Sequence, residues 1–306
     1  MWRFLWIVTV ISCSTLLYAH AQRKSTTSAD AGENKKPVAV IPFQLVDKHV
    51  IIPVLTSGST DTLHFIFDSG AEVTVLHTNT AARLHLKGGT NAYMSGINNA
   101  MAQTSVATLN VLYFGDQRLP YVKAYLENLD DLGPVDGIIG VALMKTFIVK
   151  IDYRQQQLVL YKAGKTPTNN AGRLLHFQLN YTTPIIDASI QLPNGTRLSG
   201  NYHITTGGDY GILFNWPYVD KNKLNTLLPT INTDRVQDML KVLYYINSSV
   251  PSLEVGGRSL KNVPISYSKD IDDLGVFTEM AGSIGYDVWK DFTLTINYDR
   301  KELYLE

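Results

Sequence analysis

The strand-like run Leu63-His64-Phe65-Ile66-Phe67 leads straight into Asp68-Ser69-Gly70-Ala71, followed by the apolar Val73, Val75 and Leu76. A carboxylate at the end of a buried strand, on a turn that Gly70 allows, is held rigidly and partly out of water, which is how an acid or a base is placed. Alone the tripeptide is a weak signal, since average residue usage yields Asp-Ser-Gly by chance in about one chain in ten of this length. It has a counterpart. At an offset of 137 residues the chain reads Ile204-Thr205-Thr206-Gly207-Gly208, then Ile212 and Leu213. The frame of apolar strand, hydroxyl residue, glycine and apolar pair is kept, with Thr205 where Asp68 stood.

The elements that must position these residues are themselves repeated. Gly137-Ile138-Ile139-Gly140, continuing through Phe147, Ile151, Tyr153, Leu158 and Leu160, recurs 145 residues later as Gly282-Ser283-Ile284-Gly285 with Phe292, Ile296, Tyr298, Leu303 and Leu305, and nine of 25 aligned positions are identical. Val106 to Val111 resembles Val250 to Val255, and Phe43-Gln44-Leu45 matches Phe177-Gln178-Leu179, in the same order. Two copies are too few for a solenoid, so a pair of lobes related by a pseudo-twofold axis is expected, at 37–161 and 174–306, joined by a polar linker at 162–173. Apolar runs at Val38 to Phe43, Ile51 to Leu55, Leu63 to Phe67 and Leu158 to Tyr161 are rich in β-branched and aromatic residues and bounded by turn residues. They predict a mainly β protein. Helical periodicity is sparse, and the best helix candidates are Asn79 to Leu84 and Asp234 to Leu243, with a short turn at Leu143 to Phe147.

On these motifs the chain resembles the aspartic peptidases, specifically the secreted bacterial retropepsin-like proteins with two lobes in one chain. The resemblance rests on Phe67-Asp68-Ser69-Gly70-Ala71 and the later Asp136-Gly137-Ile138-Ile139-Gly140, with Ser283-Ile284-Gly285 as the second lobe's version. It implies two β-rich lobes of acid-peptidase type with a cleft between them, and hydrolysis of peptide bonds by a water activated between two carboxylates that share a proton. Asp68, Ser69, Gly70 and Thr205 become the catalytic candidates, and Gly96, Thr206 and Gly207 the substrate-binding ones. The hydroxyls of Ser69 and Thr206 are implied to bond across to the other lobe's loop. Met94 to Asn99 is read as either a flap over the substrate or a plain surface hairpin, with Tyr93 as a cleft aromatic.

Thr205 is where the pattern breaks, because a threonine hydroxyl does not titrate in the range of a carboxylate pair. Three readings stay open. Asp68 works alone or with an acid from elsewhere; Asp209 is near, but it aligns with Glu72 in the repeat and reads as a turn acid. A homodimer brings two copies of Asp68 together, although the attached second lobe already occupies that face, which favours a monomer. Or the chain is an inactive pseudo-peptidase that holds an extended polypeptide by strand addition.

Composition removes other classes. The 306 residues carry 27 basic and 27 acidic side chains, so no positive field for nucleic acid arises. The seven histidines (20, 49, 64, 77, 85, 176, 203) show no paired metal spacing, so no metal is expected; no phosphate loop, dinucleotide fingerprint or Gly-x-Ser-x-Gly elbow occurs, so no cofactor is expected. Arg3, the apolar run Phe4 to Leu17 and Ala19-His20-Ala21 read as a signal peptide over 1–21, shorter than a membrane span, followed by a disordered leader at 22–36. The single cysteine, Cys13, is a weak match to a lipid-attachment pattern and excludes a disulfide scaffold. A secreted or periplasmic location is expected.

Overall fold

The computed structural model describes residues 36–95, 101–167, 172–237, 242–269 and 280–306. Its first half contains β1 (Ala39–Pro42), β2 (Gln44–Val46), β3 (His49–Thr56), β4 (Leu63–Phe67), β5 (Thr74–His77), α1 (Thr78–Arg83), β6 (Thr90–Ser95), β7 (Met101–Phe114), β8 (Gln117–Glu127), β9 (Gly137–Ile139), α2 (Val141–Met144), β10 (Phe147–Asp152) and β11 (Gln157–Lys162). The second half contains β12 (Arg173–His176), β13 (Gln178–Asn180), β14 (Thr183–Gln191), β15 (Arg197–Ile204), β16 (Ile212–Phe214), α3 (Trp216–Lys221), α4 (Leu224–Leu227), β17 (Asn232–Gln237), β18 (Val242–Val255), β19 (Arg258–Ser268), β20 (Met280–Ile284), α5 (Tyr286–Trp289), β21 (Thr293–Asn297) and β22 (Glu302–Leu305). The four apolar runs expected as strands are β1, β3, β4 and β11, and the helix expected at Asn79 to Leu84 is α1. Their β-branched and aromatic side chains fit a pleated surface that is buried on at least one face.

Each half builds an eight-stranded sheet with the same order: β2-β3-β4-β9-β5-β8-β7-β6 in the first, β13-β14-β15-β20-β16-β19-β18-β17 in the second. In both, the short strand carrying the apolar-glycine motif threads the middle, parallel to one neighbour and antiparallel to the other. A third sheet, β1-β11-β10-β21-β22-β12, takes three strands from each half. At its centre Val149 pairs with Ile296, Lys150 with Thr295 and Ile151 with Leu294. Leu294 and Ile296 are the repeat counterparts of Val149 and Ile151, so this pairing exchanges the halves and the pseudo-twofold axis passes through the Lys150–Thr295 pair. Buried residues from Ile41 to Leu305 form one apolar cluster across both halves, with Phe65, Phe67, Tyr202, Phe214 and Trp289 at most 1% exposed.

The segment expected as a helix at Asp234 to Leu243 is corrected. Asp234 to Gln237 lies in β17 and Val242-Leu243 in β18, paired without a break from Asn232–Asn247 to Gln237–Val242, and 238–241 fall outside the described residues. Val236, Met239, Leu240 and Leu243 imitate a helical stripe, but the strand ladder satisfies the backbone better. α3 was not expected, although Asn215 with Pro217 just inside is a helix-start signature. The linker is partly structural. Buried Thr166 donates to Glu302 Oε2 at 2.6 Å, and Asn297 Nδ2 donates to the Gly164 carbonyl at 2.8 Å. Residues 1–35 and Gly96 of the flap candidate lie outside the described residues. Among the described residues no helix is long and apolar enough to cross a membrane.

Candidate active site

β4 delivers Asp68 to the junction of the lobes. The Asp68 N–H donates to the Ile139 carbonyl of β9 at 3.0 Å, and in the second lobe the Thr205 N–H donates to the Ile284 carbonyl of β20 at 3.0 Å. The two loops then clasp one another. Ser69 Oγ donates to the Ile204 carbonyl at 2.6 Å and accepts the Thr206 N–H at 3.1 Å; Thr206 Oγ1 accepts the Ser69 N–H at 2.9 Å and contacts the Phe67 carbonyl at 3.4 Å. Phe67 and Ile204 are repeat counterparts, so each bond has its pseudo-symmetric twin. Ser69 and Thr206 are both 0% exposed. The cross-loop bonding expected of the Ser69 and Thr206 hydroxyls is present, and the Thr206 N–H joins it.

The glycines set how close the loops come. A Cβ on Gly207 would stand 2.5 Å from Asp68 Cγ, and one on Gly70 would stand 3.0 Å from Thr205 Oγ1 and 3.3 Å from Asp68 Oδ1. Asp68 and Thr205 thus sit against each other's loops, and the sequence pairing of the two positions holds in space. The apolar-glycine motif has the same origin. A Cβ on Gly140 would stand 1.8 Å from the Asp68 carbonyl oxygen, and one on Gly285 2.6 Å from the Tyr210 carbonyl.

Symmetry breaks at the carboxylate. Asp68 Oδ1 accepts the Gly70 N–H at 2.8 Å from its own loop and the Gly207 N–H at 3.0 Å from the other. By the repeat, Gly207 would serve residue 205, but Thr205 Oγ1 is buried and has no well-formed hydrogen bond among the described residues, its one polar influence being on the Tyr210 phenol. Burial pushes the Asp68 carboxyl up to about 6, against the pull of the Gly70 and Gly207 N–H groups. No second carboxylate contributes to that shift. Asp136 is occupied elsewhere: burial raises it, but bonds from Thr80, the His64 N–H and Arg83 outweigh burial and leave it below the usual carboxylate range. Glu72 accepts from Thr183 Oγ1 at 3.1 Å. The Asp209 carbonyl accepts from Lys48 Nζ at 2.8 Å, and Lys48 also pairs with Asp287 at 2.6 Å, clasping the lobes beside the site.

Residues 52–143 match the family model described as aspartyl protease. The match covers most of the first lobe. The whole chain has the two-lobed aspartic proteinase fold: it matches the crystal structure of the aspartic proteinase from Irpex lacteus with a TM-score of 0.55 and 14% identity, over 87% of this chain and 96% of that one. No curated protein matches. Within this aspartyl protease fold, sequence reading missed two phenols near Asp68. Burial raises Tyr153 and Tyr210 far above the usual phenol range, and the Asp68 charge adds to both. The Tyr210 hydroxyl donates to Ser283 Oγ at 3.0 Å. Tyr153 lay within the repeat and was legible there; Tyr210 carried no signal. Tyr93, the cleft candidate, is 55% exposed on β6.

The raised carboxyl has a consequence for stability. Native Asp68 holds its proton up to about pH 6 while the unfolded residue releases it near 3.8, so the folded state is stabilised by protonation and loses that stability as pH rises from about 4 to 6. Asp68→Asn removes the buried charge. The variant should be more stable than the parent at pH 8, by about 3 kcal/mol, and the difference should vanish below pH 4. Thermal unfolding across that range checks it, and a parent whose stability rises from pH 4 to 7 relative to the variant contradicts the assignment.

Proposed function

We propose that the chain hydrolyses peptide bonds in an extended polypeptide with a water activated at Asp68. One observation carries this reading: a buried carboxylate at the lobe junction, with one oxygen held by an N–H from each lobe and a pKa near 6. Because Oδ1 takes both N–H groups, Oδ2 is the oxygen that acts. Above about pH 6 it removes a proton from water as the water oxygen bonds to the scissile carbonyl carbon. The carboxyl so formed returns that proton to the amide nitrogen as the C–N bond breaks, and no covalent intermediate forms. Ser69 and Gly70 are positioning residues, since they fix the loop and the carboxylate. In this reading the chain is exported, to the periplasm or beyond, and works as a monomer.

Thr205 supports a second reading. With a buried hydroxyl opposite Asp68 and no second carboxylate acting on it, the same cleft serves as a polypeptide-binding module without cleavage. The test is incubation of the chain lacking residues 1–21 with a diverse peptide mixture from about pH 3 to 8, read by mass spectrometry beside Asp68→Asn. Cleavage that rises through about pH 6 and is lost in Asp68→Asn is expected. A folded sample that cuts nothing at any pH transfers the conclusion to the binding module.

A further inference from the structure

A cavity of about 660 Å³ lies on the second-lobe flank of the site. Tyr210 joins the two: its ring lines the cavity, and its phenol feels the Asp68 charge. The floor is apolar, with Leu213, Tyr245 and Ile265 beside Tyr210. One wall is β17, whose residues Asn232 to Arg235 line the cavity. β17 is the last strand of its sheet and, among the described residues, pairs with β18 alone, so its outer edge is where a further strand would add. Such a volume accommodates a long side chain, or two, from a strand laid along that edge.

The charges select among side chains. Two cations line the cavity: Lys48 is spent on Asp287 at 2.6 Å and on the Asp209 carbonyl at 2.8 Å, and Arg235 has an interaction of its own. Asp234 is different. Its Oδ2 accepts from Asn247 Nδ2 at 2.7 Å, the other Asn247 amide atom, Oδ1, is taken by Ser266 Oγ at 2.6 Å, and no cation pairs with Asp234 among the described residues. An oriented carboxylate with no cation partner among the described residues thus lines a mixed pocket that also presents the apolar Leu213 and Ile265. That combination suits a side chain with a long aliphatic stem and a cationic head, because the stem covers Tyr210 and Ile265 while the head meets Asp234.

We propose that this cavity is a specificity pocket for lysine or arginine in an extended polypeptide paired along β17, with Asp234 reading the positive charge. The proposal names the substrate class of the site described above and rests on that reading for cleavage, though not for binding. The probes are two matched pools of decapeptides built from Val, Thr, Ala and Leu, identical except that each carries one lysine or one norleucine. Binding to the chain and to its Asp68→Asn variant is measured by fluorescence polarisation, and cleavage by mass spectrometry. The lysine pool should bind at least tenfold more tightly than the norleucine pool, with the advantage shrinking as salt rises. In Asp234→Asn the ratio should fall toward one, and in Asp234→Lys it should invert. A general loss of folding removes binding of both pools and cannot produce the inversion in Asp234→Lys, which therefore separates loss of charge reading from loss of structure. A lysine preference kept in a chain that cleaves nothing supports the pocket and removes only the peptidase reading. Equal binding of the two pools by the parent chain, no binding of either, or an unchanged ratio in Asp234→Asn overturns the pocket.

Discussion

Thr205→Asp should raise peptide hydrolysis by about 10²-fold or more and move the pH optimum from neutral into the acid range, because it adds a second titrating group in reach of the first. The geometry specifies why. Thr205 occupies the repeat counterpart of Asp68 and packs against Gly70, and the Gly207 N–H that a residue-205 carboxylate would take now goes to Asp68. An aspartate there reclaims that donor and faces Asp68 in a buried junction, where two like charges cannot both ionise easily. The pair then titrates in two steps, one pKa lowered and one raised, and the singly protonated form holds a base and an acid at once. The parent profile, by contrast, rises through about pH 6 as one carboxyl ionises. The same variant should lose stability at pH 8, where the pair resists full ionisation. Initial rates from pH 3 to 8 decide the matter, and a rate and profile identical to the parent would falsify the placement of Thr205 at the second catalytic position.

Gly140→Ala is the second large effect, expected to cost about 4 kcal/mol or more, at the far end of single-residue changes. The added Cβ would stand 1.8 Å from the Asp68 carbonyl oxygen and 2.9 Å from that of Ala71, both backbone atoms inside the clasped loops. Neither can retreat without pulling Asp68 away from the Gly207 N–H, so stability and the carboxyl's environment should be lost together. Gly89→Ala, at a position with nothing within 4 Å, is the control and should shift stability by less than about 0.5 kcal/mol. Denaturant unfolding of the two variants checks this. A Gly140→Ala protein as stable as Gly89→Ala means that the loops are not packed as described.

Local chemistry in the sequence was enough for the architecture. β-branched and aromatic runs bounded by turn residues specify strands wherever one face is buried, and a repeat of Gly-x-Ile-Gly with its trailing Phe, Ile and Tyr requires two copies of one unit, because similar patterns bury similar faces. The pairing of Asp68 with Thr205 followed from the same repeat. What it could not specify depends on who the neighbours are. The stripe at Val236 to Leu243 is compatible with a helix until β18 is there to pair with it. That the Thr206 N–H joins its hydroxyl in bonding to the opposite loop is a matter of how the two loops meet. The carboxyl's rise to about 6 comes from burial between lobes 137 residues apart, and the diversion of the Gly207 N–H to Asp68 comes from a missing acceptor on another loop. The placing of Tyr210 between Asp68 and the cavity is of the same kind. Hydrophobic periodicity is a property of neighbouring residues and is written in the chain; desolvation and the choice among competing hydrogen-bond partners exist only once distant segments meet, so the tertiary structure alone decided them.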